Sequence, residues 1–181
     1  PKLVSLISET VPREARGWVT QQVIKFRVAS MSKEIGTLIL DADTVLLRPR
    51  VWVGSDNSQV LCFAYEYHLP YKEHQRRFLD GRGHLMSFVT HHQLMKTDAV
   101  RDIFGSDYKT LVDWLRLADY RAGSALSEFD TYGEWMTSNR PKEICFAKWN
   151  NLPVKISHGT RYSDLLAKYG DYHSVSNHTY L

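Results

Sequence analysis

The stretch Thr37-Leu38-Ile39-Leu40-Asp41-Ala42-Asp43-Thr44-Val45 decides the fold. Its apolar run is typical of a strand that is buried on both faces, and two carboxylates follow at the strand's C-terminal end. Ligand sites in open α/β sheets lie at that end of the strands. We therefore expect Asp41 and Asp43 to converge on one hard cation, Mg²⁺ or Mn²⁺, because these ions prefer oxygen ligands. The alternative is that both aspartates only terminate the strand and form the turn after it.

Helix-like and strand-like segments alternate around this stretch, which predicts an α/β domain. Apolar residues recur at helical spacing across 13–31, and Ser127 with Asp130 forms a capping pattern that begins a later helix. Further strands are predicted at 59–65, 88–90 and 144–147, further helices at 72–80 and 97–104, and an irregular tail from 172 onward. We expect a single domain over 1–181, with a mixed sheet flanked by helices.

The composition excludes several classes of protein. The chain has 181 residues, of which 43% are hydrophobic and 24% charged, as in ordinary globular domains. The 23 Lys and Arg and 20 Asp and Glu are interspersed, and the net charge of +3 is too small to indicate nucleic-acid binding. No apolar run has the length of a transmembrane segment. Cys62 and Cys145 each lie in an apolar run, so we expect two buried thiols in a reducing, cytoplasmic compartment.

Two classes of enzyme carry an acidic pair after a buried strand. In nucleotide-sugar glycosyltransferases of the GT-A fold, a DxD motif holds a metal against the donor diphosphate. In haloacid-dehalogenase-like phosphatases, the motif DxDx[TV] fits 41–45 equally well, with Asp41 as the nucleophile and Asp43 as the general acid. The phosphatase interpretation requires a later acidic pair at another strand end. We find no such pair in the sequence and keep this interpretation as the alternative.

Further segments favour the glycosyltransferase interpretation. They are GWVTQQVIK at 17–25, Arg48-Pro49 after the acidic strand, SFVTHH at 87–92 and SEFDTYG at 127–133. Together these segments resemble a family of bacterial proteins of poorly defined function that are related to GT-A glycosyltransferases. The pattern of that family is GW-x-x-QQ-x-x-K, then DxD followed by Arg-Pro, then SF-x-x-H, then SE-x-x-x-YG. The resemblance extends from about Gly17 to Asn150.

This resemblance implies a GT-A-like, Rossmann-like fold and a metal-dependent transfer of a sugar. The donor would be a nucleotide-diphosphate sugar and the acceptor a carbohydrate hydroxyl, in the assembly of bacterial surface polysaccharide. The protein would be cytoplasmic or peripheral to the inner membrane. GT-A domains begin with a βα unit that binds the nucleotide, and only forty residues precede Asp41, so we expect part of that unit to be missing. A third hypothesis is a non-catalytic module that binds a sugar or a protein partner.

The resemblance also implies roles for residues on the donor side. Asp43 is the expected direct metal ligand, and Asp41 is expected to contact the metal through water or to contact the donor ribose. The late His158 is a further candidate ligand of the metal. The residues expected to line the donor side of the cleft are Gln21, Gln22 and Lys25.

On the acceptor side, an inverting transferase needs a carboxylate that deprotonates the acceptor hydroxyl. Glu128 and Asp130 are the candidates, and the alternative is that they only favour the N-terminus of a helix. The residues expected to contact the acceptor are His68, His91, His92 and Tyr132. For each of them the alternative is ordinary packing within the domain.

Overall fold

The computed structural model describes residues 2–80, 86–105 and 109–177. Within these ranges the chain alternates helices and strands, so the predicted α/β class is confirmed. The helices are α1 (Lys2–Thr10), α2 (Arg16–Met31), α3 (Leu69–Phe78), α4 (Thr97–Phe104), α5 (Lys109–Arg116), α6 (Glu128–Asn139) and α7 (Tyr162–Tyr169). The strands are β1 (Gly36–Leu40), β2 (Thr44–Leu46), β3 (Gln59–Phe63), β4 (His92–Lys96), β5 (Ile144–Lys148), β6 (Asn151–Pro153) and β7 (Ser174–Ser176).

The strands form three small sheets with mixed strand directions. β1 pairs with β4 in the antiparallel sense, with Leu40 opposite His92. β3 pairs with β5 in the parallel sense. In the third sheet β7 lies between β2, to which it is antiparallel, and β6, to which it is parallel.

Two buried glutamine side chains connect the first two sheets. On β4, the Gln93 amide accepts from the backbone N–H of Cys62 at 3.3 Å and donates to the Cys62 carbonyl at 3.1 Å. On β3, the Gln59 amide donates to the carbonyl of Leu94 at 2.6 Å. Because side-chain amides satisfy these buried backbone groups, four strands follow one another in the order β1-β4-β3-β5.

The main core lies between these strands and the helices α2, α4, α5 and α6. The inward face of α2 carries Val19, Val23 and Phe26, all buried, at the spacing that predicted this helix. The ring of Phe26 lies 4.6 Å from that of Phe104 on α4 and 5.5 Å from that of Trp114 on α5. This aromatic contact fixes α2 against the core, and α2 in turn carries part of the site described below.

A smaller core lies under the third sheet and α7. It contains Leu47, Leu165 and Val175. The indole of Trp149 donates to the Ser174 hydroxyl at 2.8 Å and joins this part of the chain to β5. The prediction of an irregular tail from 172 onward is therefore wrong in part, because 174–176 form β7, the central strand of this sheet.

Three further expectations need correction. β1 is buried on one face only: Ile39 is buried, whereas Leu38 and Leu40 are exposed because β1 lies at the edge of its sheet. The strand predicted at 88–90 begins instead at His92, after an isolated bridge between Ala64 and Ser87. Of the two cysteines only Cys62 is buried.

No helix in the described ranges is both long and apolar enough to span a membrane.

The packing of α6 generates a test of the fold. Gly133 lies on the face of α6 that meets the buried ring of Phe88, and a Cβ at this position would overlap that ring. We expect Gly133→Ala to lower the free energy of unfolding by about 1–3 kcal/mol, the usual cost of overpacking. Urea unfolding followed by circular dichroism measures this change.

Gly17→Ala is the matched control, because Gly17 also lies in a helix but a Cβ there would meet open space. It should raise the stability slightly, since alanine is the better helix former. An equal, stabilising effect of both substitutions would contradict the packing of Phe88 against α6.

Candidate functional site

The C-terminal end of β1 and the start of β4 meet at one point of the structure. They do so because β4 is antiparallel to β1, and the backbone N–H of Asp41 donates to the carbonyl of His91 at 2.9 Å. The side chains of α2 and the first turn of α6 lie beside this point. Together these elements line an open cleft of about 530 Å³.

Lys25 is the central charged group of the cleft. Its ammonium donates to Asp41 Oδ1 at 2.5 Å and to Glu128 Oε1 at 2.6 Å. It also lies 4.8 Å from the centroid of the Phe129 ring. One lysine on α2 therefore connects the end of β1 to the first residue of α6.

Glu128 is almost fully buried, with 2% of its side chain exposed. Burial raises the pKa of its carboxyl group, although the ammonium of Lys25 opposes the rise. The amide of Gln22 faces the same carboxylate, and the orientation that satisfies both groups has its nitrogen donating to Glu128. Ser127 begins α6 as predicted, since its side chain accepts from the backbone N–H of Asp130.

His91 is the second cationic side chain in the lining of the cleft. Its Nδ1 lies 3.3 Å from Asp41 Oδ2 and its Nε2 lies 3.0 Å from Glu66 Oε2. Burial opposes protonation, but the hydrogen bonds to Asp41 and Glu66 outweigh it and raise the pKa of His91 to about 9. The backbone of His91 has φ = 62°, which lies in the left-handed region that residues other than glycine rarely adopt.

The Asp41 carboxylate thus contacts a cation at each of its oxygens. Burial alone would raise its pKa, but the hydrogen bond from His91 and the charge of Lys25 lower the pKa below the usual value. The cleft lining carries four carboxylates and two cationic side chains. When all of them are ionised, the lining has an excess of negative charge.

Two aromatic rings line the same cleft as the acidic residues. The rings of Trp18 and Tyr71 are nearly parallel, with an interplanar angle of 6° and centroids 6.3 Å apart. His68 meets Tyr71 edge-on at 4.5 Å, and its Nε2 lies 2.9 Å from the Ser124 carbonyl oxygen. His68 therefore contacts Tyr71 but does not itself line the cleft, which corrects its expected role as an acceptor contact.

Several predicted residues do lie together in the cleft. From the donor side these are Gln21, Gln22, Lys25, Asp41 and Asp43, and from the acceptor side His91 and Glu128. They come from elements that are far apart in the sequence. The structure thus brings together one member or more of each segment that carries the resemblance, apart from Arg48-Pro49.

Asp130 lies behind the cleft and does not line it. Its Oδ1 accepts from the backbone N–H of Phe88 at 2.6 Å, and its Oδ2 lies 3.2 Å from the ammonium of Lys72. Lys72 also contacts Glu134 at 3.0 Å, and all three side chains are buried. Because Phe88 precedes His91 by three residues, Asp130 ties the first turn of α6 to the segment that carries His91. Its position corrects the expectation that it touches the acceptor.

Tyr132 and His92 also lie outside the cleft, which corrects their expected roles as acceptor contacts. The Tyr132 hydroxyl donates to Gln59 Oε1 at 2.5 Å and accepts from a backbone N–H of β4, deep in the core. The ring of His92 packs 4.0 Å from the ring of Trp149. Burial lowers the pKa of His92 to about 4, so this ring is neutral at physiological pH.

The structure does not bring His158 to the acidic pair. His158 lies in an exposed turn between β6 and α7 and is absent from the lining of the cleft. His158 is therefore not among the side chains that line the cleft with Asp41 and Asp43. In the described parts of the chain, no group of three or more His, Cys, Asp or Glu side chains is placed to hold a metal ion.

Sequence reasoning missed Glu66 and Lys72. Glu66 follows β3 by three residues, so the same strand-end rule that selected the aspartates would have selected it. Lys72 carries no signal in the sequence, because a lysine on a short helix is usually exposed. Its burial becomes visible only once α3 is packed against α6.

Comparison of the chain with protein-family models, with curated proteins and with solved structures gave no significant match.

The two adjacent histidines generate a pH prediction. At pH 7 we expect His91 to carry protons on both ring nitrogens and His92 to be neutral, because hydrogen-bonded carboxylates surround the first and aromatic rings the second. Long-range ¹H–¹⁵N correlation spectra across pH 4–10 should show transitions near pH 9 and near pH 4. His91→Gln should remove the transition at high pH and leave the other.

The sign of the effect on stability follows from linkage. The pKa of His91 is raised on folding, so its contribution is fully present below its ordinary pKa of about 6.5 and is lost as the pH rises through about 9. Transitions of both His91 and His92 near pH 6.5 in the spectra of the folded protein would contradict the contacts described for the two rings.

Proposed function

We propose that the protein transfers a sugar from a nucleotide-diphosphate donor to a carbohydrate hydroxyl, with the help of a divalent cation. The observation that carries this proposal is the triad in the cleft, in which Lys25 lies 2.5 Å from Asp41 and 2.6 Å from Glu128. Asp41, which follows β1, and the buried carboxylate of Glu128 thus lie on either side of one ammonium group. A transferase needs two such functions, one for the donor and one for the acceptor.

Glu128 is the proposed general base. A buried carboxylate with a raised pKa accepts a proton more readily than a solvated one, and burial has this effect on Glu128. In the proposed reaction Glu128 takes the proton of the acceptor hydroxyl. The hydroxyl oxygen forms a bond to the anomeric carbon, and the bond from that carbon to the diphosphate oxygen breaks. Lys25 and Gln22 orient the carboxylate for this step.

The acidic pair is the proposed cation site. Mg²⁺ and Mn²⁺ are commonly held by one or two carboxylates together with water and substrate phosphates. Asp41 and Asp43 both line the cleft and have the required oxygen chemistry. Asp43 is the proposed direct ligand, as the resemblance of the motif implies, and Asp41, whose oxygens contact Lys25 and His91, is proposed to contact the cation through water. When bound, the cation would neutralise charge on the departing diphosphate.

The two parallel rings of Trp18 and Tyr71 in the cleft favour a carbohydrate ligand. Sugar rings present apolar C–H faces and polar edges, and binding clefts match them with aromatic surfaces beside a few polar groups. Here the parallel rings line the same cleft as Glu128 and Lys25. We propose that the acceptor sugar packs on these rings. The GT-A-like fold and a role in the cytoplasmic assembly of bacterial surface polysaccharide remain part of the proposal, supported by the resemblance of the sequence motifs.

One observation favours a second candidate, a module that binds sugar without catalysis. The negative excess of the cleft lining disfavours a diphosphate in the absence of a cation, whereas a neutral sugar carries no such cost. The phosphatase alternative is less well supported, because the Asp41 oxygen that would attack phosphorus is bound to Lys25 or His91.

Calorimetric titration with UDP, GDP and CMP, each with Mn²⁺ and with chelator, tests the proposal. We expect one nucleotide to bind only with Mn²⁺, and Asp43→Ala to weaken that binding at least about tenfold, since a phosphate-bridged cation would lose its carboxylate ligand. The control is Asp171→Ala, because Asp171 is an exposed aspartate outside the cleft.

The absence of binding to every nucleotide by the folded chain would contradict the transferase proposal. Binding of free hexoses under the same conditions, measured by saturation-transfer NMR and lost in Trp18→Ala, would then favour the non-catalytic module.

A further inference from the structure

A band of exposed apolar side chains flanks the outer edge of β1. On α2 the exposed residues recur at i, i+4 and i+7, so they form one stripe along the helix. On β1 the exposed Leu38 and Leu40 alternate with the buried Ile39 and so share one face of the strand, and Ile35 lies in the turn before it. The members of this apolar band are Ile24, Val28, Met31, Ile35, Leu38 and Leu40, with exposed fractions from 38% to 63%.

The apolar band is continuous at both ends. Ile24 and Leu40 meet at the candidate cleft, which both of them line. Met31 and Ile35 meet at a shallow depression at the opposite end of β1. The band therefore runs along β1 from the cleft to the far end of the strand, over roughly 15 Å at the usual rise per residue.

The outer edge of β1 lacks two of the usual protections of an edge strand, charged residues and prolines. Within the described residues β1 pairs with β4 on one side only. Residues 36–40 include no charged residue and no proline, the features by which proteins prevent strands from pairing with other chains. A lipid surface would leave the backbone groups of this edge without hydrogen-bond partners, so the band fits a protein strand better than a membrane.

We propose that this face binds a second copy of the chain, an interaction that goes beyond the proposed function. In the dimer β1 pairs with β1 of the partner subunit in the antiparallel sense about a two-fold axis. The sheet then continues through both copies, and the exposed stripes of the two α2 helices pack against each other. A two-fold axis places each patch on itself, and an uncharged apolar patch is complementary to itself.

The exposed area of the band is sufficient for such a dimer. Six large apolar side chains, each about half exposed, present roughly 500 Å² on each copy, or about 1,000 Å² in the dimer, which reaches the lower limit of specific interfaces. Main-chain hydrogen bonds between the two β1 strands would add direction to this apolar contact.

Sedimentation equilibrium of the protein at about 1–200 µM tests the proposal. We expect the average mass to rise with concentration toward twice the chain mass of 21.0 kDa. Val28→Glu and Leu38→Lys should each raise the dimer dissociation constant at least about tenfold, because each would bury an unpaired charge in the interface. The circular dichroism spectra of the isolated variants should stay as in the parent chain, since both side chains are exposed.

Leu166→Lys is the matched control, because Leu166 is an apolar residue of similar exposure on α7, away from the band. It should leave the dimer unchanged. A mass of one chain at every concentration would overturn the proposal, and so would a dimer that survives both substitutions in the band. The experiment measures mass without nucleotide or sugar, so its result is independent of the proposed transferase activity.

Discussion

The ion pairs of the partly buried Lys25 ammonium are the interaction on which the geometry of the cleft depends. The ammonium lies between carboxylates from two other elements, Asp41 after β1 and Glu128 at the start of α6. With 18% of its side chain exposed, the lysine could not remain charged at low cost without both partners. The charge therefore fixes how α2, β1 and α6 approach one another, and the cleft is the space they leave.

A second charge cluster supports this arrangement from behind. Lys72 on α3 contacts Asp130 and Glu134, which follow Glu128 on α6, while Asp130 also holds the backbone at Phe88. Burial raises the pKa of Asp130, and Lys72 opposes the rise. Buried ionic contacts of this kind fix the local geometry. The segment before His91 and the first turn of α6 are thus joined through Asp130, behind the cleft.

Local pattern predicts most of the central elements, and tertiary context explains the failures. Helix α2, strands β3 and β5 and the Ser127 cap follow from periodicity and capping. The pattern alone could not show that Leu38 and Leu40 are exposed, because an apolar strand at the edge of a sheet has the same sequence pattern as a strand that is buried on both faces. β7 was missed because it has only three residues, two of them serines, which are buried by neighbours from distant segments. Among the site residues, Lys25, Asp41 and Glu128 followed from the motifs. His92 and Tyr132 did not, because the side of a strand or helix that faces a cleft depends on the final packing.

The most direct test of this account is a double-mutant cycle between Lys25 and Glu128, which lie 2.6 Å apart. The free energies of urea unfolding are compared for Lys25→Met, Glu128→Gln and the double variant. Each single change leaves a charge with fewer partners, so we expect the double variant to be less destabilised than the sum of the two single variants, with a coupling of at least about 1 kcal/mol. Additive effects, within about 0.3–0.5 kcal/mol, would show that the ion pair does not hold α2 to α6 and would contradict the central role of Lys25.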